Sequence, residues 1–132
     1  MKKTTKYLVL PLLILLISGI AHCADISIHF IGYSHLKPVK VRLIIKNDDF
    51  KNPKIQYYGH KEQIPLSFLR EEELRRNQNG PSLLQQEWEE RYNNEKTGRY
   101  VMVSQGAVVN HFIYIRYRDM KVFVFDQDPE EW

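Results

Sequence analysis

The side chains best suited to chemistry in this sequence are His29, His35, His60 and His111, the serines at 27, 34, 67, 82 and 104, and the acidic pairs Asp48-Asp49 and Asp126-x-Asp128. Their spacing argues against catalysis. A zinc site legible in sequence needs close pairs such as H-x₃-H or C-x₂-C, and the chain has neither. His29 and His111 fall on separate expected strands and could meet only across a sheet. No serine sits in a G-x-S-x-G context, and Ser82 is better used as a helix N-cap. Asp48 and Asp49 lie in a turn-rich run, NDDFKNP, without a third ligand at a fixed spacing. Asp126-x-Asp128 opens like a calcium loop, but Pro129 and a missing glycine break that pattern. There is no phosphate loop and no dinucleotide fingerprint. The expectation is no catalytic residue, no metal and no cofactor, and therefore a binding protein rather than an enzyme.

The N-terminus carries an address. Lys2, Lys3 and Lys6 precede an apolar run from Tyr7 to Ile20, and the small residues Ser18, Gly19 and Ala21 follow. That is the anatomy of a secretory signal peptide over residues 1–23. The apolar run, about 15 residues broken by Pro11, is short of the roughly 20 needed to span a bilayer. Residues 24–132 then form a single small exported domain. Cys23 is the only cysteine, so no intramolecular disulfide can form. Two readings of Cys23 stay open: the acylated first residue of a lipoprotein, which Ile20 and Ala21 fit and His22 does not, or the last residue of the leader, with ordinary cleavage after it and Ala21 and Cys23 as the small −3 and −1 residues. Membrane contact is expected only through a lipid on Cys23, and the expected location is the periplasm, either free or anchored to the outer membrane.

Export also changes the charge. The formal +3 comes from the three leader lysines; without them 19 − 3 leaves 16 basic residues against 16 acidic ones. A neutral domain gives no electrostatic reason to bind nucleic acid. What remains is a mildly basic region over 24–60 and a mildly acidic one over 100–132.

The elements follow from periodicity. Tyr100 to Asp126 holds three runs rich in Val, Ile, Phe and Tyr, parted by Ser104-Gln105-Gly106 and Arg118-Asp119, which predicts an antiparallel meander over 100–104, 107–117 and 120–126. A tight turn at Arg118-Asp119 sets Ile113 opposite Val124 and Ile115 opposite Val122 on one face, with Phe112–Phe125 and Tyr114–Phe123 on the other. Both faces are apolar, so both should be covered by the rest of the chain. Residues 25–31 and 38–46 alternate as strands; Val39, Val41, Leu43 and Ile45 point one way and Lys40, Arg42 and Lys46 the other. That basic face reads either as a guard on an edge strand or as a surface for an acidic partner. A short strand is expected over 55–58. Residues 66–94 switch to helical spacing: a charged helix over 66–76 with Glu71→Arg75 and Glu72→Arg76 pairs, then a second helix capped by Ser82 and Gln85 that lays Trp88 over the meander or exposes it in a groove. The tail from Gln127 to Trp132 reads as a frayed end or as a plug for a partner's pocket.

One stretch resembles a known family. Lys37-Pro38-Val39-Lys40-Val41-Arg42-Leu43-Ile44-Ile45-Lys46, followed by Phe50, is similar to a strand of the type VI secretion outer-membrane lipoprotein TssJ family, and Ile113 to Asp119 (IYIRYRD) resembles a later strand of it. The resemblance implies a small β-sandwich with added helices, tethered through a lipid on Cys23, that docks the periplasmic part of an envelope-spanning protein.

The fold expected is mainly β, sandwich-like antiparallel sheets with one or two inserted helices at about 66–94; the alternative is an α+β single sheet with a helix on one face. The function expected is a non-enzymatic, envelope-associated subunit of a secretion-type assembly that binds a protein partner. The alternative is a periplasmic inhibitor or immunity protein that blocks an enzyme or toxin.

Overall fold

The structure, a computed structural model, describes residues 25–132. The expected leader and Cys23 lie outside them. Eight strands follow one another: β1 (Ile26–Ser34), β2 (Lys37–Ile45), β3 (Lys54–Tyr57), β4 (Ile64–Arg75), β5 (Leu83–Tyr92), β6 (Glu95–Gln105), β7 (Val108–Arg116) and β8 (Lys121–Gln127). Each pairs antiparallel with the next, and β1 pairs with β8 at Phe30↔Gln127, Ile31↔Asp126 and Gly32↔Phe125, which closes the sheet into a barrel.

This corrects the expected architecture. The described residues form neither a sandwich nor a sheet with a helix across it, and the helices expected over 66–76 and 82–94 are the hairpin β4–β5. The expected i,i+4 charge pairs give way to other partners: Glu71 Oε1 accepts from Gln86 Nε2 across the strands at 3.0 Å, Glu72 pairs with Arg70, which also meets Glu87 on β5, and Arg76 pairs with Glu73. Two register shifts leave Leu69 and Leu74 without partners, so both stay exposed. Ser82 caps no helix; its hydroxyl accepts from the Asn77 amide in the hairpin loop.

The meander register holds. Phe112↔Phe125, Ile113↔Val124, Tyr114↔Phe123 and Ile115↔Val122 pair as their alternation demands. The turn is longer than two residues, running Tyr117–Met120, and the like-charge pair Arg116↔Lys121 is relieved by Asp119. Arg116 Nε and Nη2 donate to its two carboxylate oxygens at 3.1 and 2.7 Å, which holds the Asp119 carboxyl down at about 2.

Closure divides the residues cleanly. Phe30, Val41, Leu43, Ile45, Ile55, Leu66, Trp88, Tyr100, Met102, Phe112 and Phe125 fill the interior. Phe30 stacks on Phe112 with centroids 3.9 Å apart. An eight-stranded barrel is just wide enough for such filling. Apolar side chains inside and charged ones such as Arg70, Arg99 and Glu87 outside reverse the polarity of a barrel that crosses a bilayer.

The two ends differ. The β2–β3 loop folds across one end, where Trp88 Nε1 donates to the Phe50 carbonyl at 2.8 Å. Trp88 is thus core, in the barrel itself and not on a helical lid. The turns β1–β2, β3–β4, β5–β6 and β7–β8 ring the other end, which is open.

Candidate functional site

At the open end β3, β6 and β7 bring four polar side chains onto one carboxylate from β5. Glu90, 4% exposed, points inward from β5 in line with Trp88. Its Oε1 accepts from Thr97 Oγ1 at 2.8 Å and from Tyr114 Oη at 3.0 Å; its Oε2 accepts from Tyr57 Oη at 3.0 Å and lies 3.2 Å from Tyr100 Oη. The Tyr57 and Tyr100 hydroxyls are themselves 2.5 Å apart. Gly98 makes room for this, because a Cβ there would fall 2.5 Å from the Tyr114 ring. A cavity of about 320 Å³ opens beside the cluster, lined by Tyr57, His60, Glu62, Ile64, Glu90, Tyr92, Thr97 and Tyr114.

Burial, and then the Glu90 charge, pushes the Tyr57 and Tyr114 hydroxyls well above the usual tyrosine range; burial and Tyr57 do the same to Tyr100. At neutral pH they are hydrogen-bonding groups and not bases. A tyrosine whose folded pKa exceeds its unfolded value of about 10 holds its proton more tightly when folded, so its contribution is intact below pH 10 and disappears above it. Stability to urea is expected to fall beyond pH 10, by up to about 1.4 kcal/mol per pH unit for each of the three. A denaturation midpoint unchanged between about pH 9 and 11 would contradict this burial.

The outer wall carries two further surfaces. Across β6, β7 and β8 the outward side chains include Val101 and Val103, Ile113 and Ile115, Val122 and Val124, beside Arg99 and His111, and Val101, Ile113 and Val124 stand in one cross-strand row. Val122 is 51% and Val124 65% exposed. The two apolar faces of this ribbon call for cover; the barrel interior covers one, and on the other Val122 and Val124 stay exposed and the remaining four half-buried, because the earlier segments close the sheet edge to edge instead of lying over it. On the opposite wall the acidic tail is not frayed. It crosses the outer face of β1–β3: Lys40 Nζ meets Glu130 at 3.0 Å and Asp128 at 3.5 Å, and Arg42 donates to the Trp132 carbonyl at 2.9 Å while lying over its indole ring. Lys40 and Arg42, read as an edge guard or an acidic partner's surface, hold the chain's own tail.

The residues singled out in sequence mostly stay apart. His29 is buried edge-on against Trp132, while His111 is exposed on the outside of β7, with β8 between them. His35 sits in the β1–β2 turn, and only His60 reaches the cavity. Asp49 accepts from Lys51 and Asn52 within its own turn. Asp128 pairs with Lys40. Among the described residues no three His, Cys, Asp or Glu side chains group as metal ligands. Glu90, Thr97 and the three tyrosines were missed. Glu90 lay in a segment read as helix, and the one available signal was the inward alternation Gln86, Trp88, Glu90. No family model, no curated protein and no solved structure matches this chain.

Proposed function

We propose that this chain is a non-enzymatic exported binding protein that attaches to a protein of the cell envelope through the outer face of β6–β8, as a subunit of a secretion-type assembly. One observation supports the reading most: six Val and Ile side chains gather on a wall that elsewhere carries charge, with two of them more than half exposed. Contiguous apolar surface of this kind is uncommon on a protein that works alone and marks contact sites. A photo-activatable residue in place of Val124, in cells producing the full chain, should yield one discrete adduct with an envelope protein; the same residue at exposed Glu72 should not. Equal, diffuse labelling from both positions would sink the proposal.

A second reading, an inhibitor that enters another protein's cleft, draws on the β1–β2 hairpin. His35 and Leu36 turn it at φ 51° and 68°, and Leu36 is 96% exposed. A left-handed leucine costs on the order of 1 kcal/mol or more, and such strain gathers at functional tips. Replacing Leu36 with Asp should release a bound enzyme under this reading and leave the Val124 adduct intact under the first.

A further inference from the structure

We propose that the cavity at the open end of the barrel is a binding site for a compact organic cation, a primary ammonium or guanidinium group. It rests on the Glu90 cluster and not on the outer wall, so it stands or falls apart from the reading above.

Charge points to a cation. Glu62 and Glu90 both line the cavity, and no lysine or arginine does. The contrast with a neighbouring carboxylate is informative: Glu87, equally buried on the outside of β5, has Arg70 and Arg99 against it, whereas Glu90 has no ion-pair partner among the described residues. A buried carboxylate held by hydroxyls alone gains when a positive group arrives.

Hydrogens point the same way. The hydroxyls of Tyr57, Tyr100, Tyr114 and Thr97 carry one hydrogen each. Tyr57 is within reach of both Glu90 and Tyr100, Tyr114 of both Glu90 and the Thr97 carbonyl, and Thr97 of both the carbonyl and the carboxylate of Glu90. The Thr97 carbonyl is also filled by the Tyr117 amide, but the four contacts to the carboxylate and the Tyr57–Tyr100 contact still make five for four hydrogens. An ammonium brings three donors and no acceptor, and a guanidinium five; a carboxylate or phosphate would bring the wrong groups. Tyr57, Tyr92 and Tyr114 on the cavity wall supply rings against which a cation is attracted. The volume, about 320 Å³, suits a butylamine-sized group or one lysine or arginine side chain.

The test is an amide NMR titration of the full chain at constant ionic strength with n-butylammonium, with methylguanidinium, and with n-butanol as the uncharged control. Saturable shifts at Tyr57, Glu90 and Thr97 are expected with either cation, at least about tenfold tighter than with butanol. Glu90→Gln should abolish the preference for charge. Because Glu90 is buried, that variant could fail to fold; Glu62 is exposed, and Glu62→Lys should keep the fold and weaken the cations by on the order of tenfold. Butanol binding as well as butylammonium, Glu62→Lys leaving the cations unaffected, or no saturable shift with any probe would each overturn the site. An acetylated Gly-Lys-Gly amide separates the sources. Tighter binding than butylammonium assigns the cation to a protein side chain, and weaker binding to a free amine.

Discussion

Trp88→Ala should cost about 3–5 kcal/mol, the largest loss any single truncation in this barrel can give. The ring is fully buried between Phe68 on β4 and Tyr100 on β6, the residues opposite it in register. Its removal leaves a void in a close-packed interior, and the neighbouring strands, hydrogen-bonded on both sides, cannot collapse to fill it. It also leaves the Phe50 carbonyl without its indole donor, freeing the loop that closes that end. Since domains of this size hold only about 5–15 kcal/mol in total, the variant should melt far below the parent. A urea midpoint shift worth under about 1 kcal/mol would mean that Trp88 is not the centre of the fold.

The second large effect separates the two sides of the same ribbon. Val122→Asp together with Val124→Asp should change stability by less than about 1 kcal/mol, because both side chains already face water. Capture of the proposed envelope partner should nonetheless fall by on the order of 100-fold, since the proposed contact surface acquires two charges that such a partner must desolvate. Val41→Asp, with Val41 wholly inside the barrel, should give the opposite result and unfold the chain. Measured side by side, thermal melting and partner recovery distinguish a contact surface from a packing surface. If the double aspartate variant kept its partner, the outer face of β7–β8 would have no role in binding.

The ribbon was legible because each of its residues agrees with its neighbours on period and type. Phe112, Tyr114, Phe123 and Phe125 form one alternation and Ile113, Ile115, Val122 and Val124 the other, so one register satisfies both. The β4–β5 hairpin was illegible for the converse reason. Along β5, Gln85, Glu87 and Glu89 face out while Gln86 and Glu90 face in, so polarity gives no period of two. Leu, Gln, Glu and Arg are strong helix formers, and the strand exists only because β4 and β6 pair with it on either side. Closure could not be read either. It rests on three residue pairs between the first and last strands, and nothing local marks them. Without closure, the inward tyrosines at 57, 100 and 114 lay on separate strands, with no sign that they converge on Glu90. The sandwich implied by the family resemblance failed at the same point, since similar edge and ribbon sequences serve an open or a closed sheet alike.

The proposal places another protein over the exposed outer face of β7–β8 where the chain works. Cysteine at Val124, labelled by a maleimide and read by mass spectrometry, tests it against cysteine at exposed Glu72. Both should react quickly in the purified protein; in the cells that produce it, the Val124 position should be protected and the Glu72 position should not. Labelling at Val124 as fast in cells as in purified protein would contradict the claim.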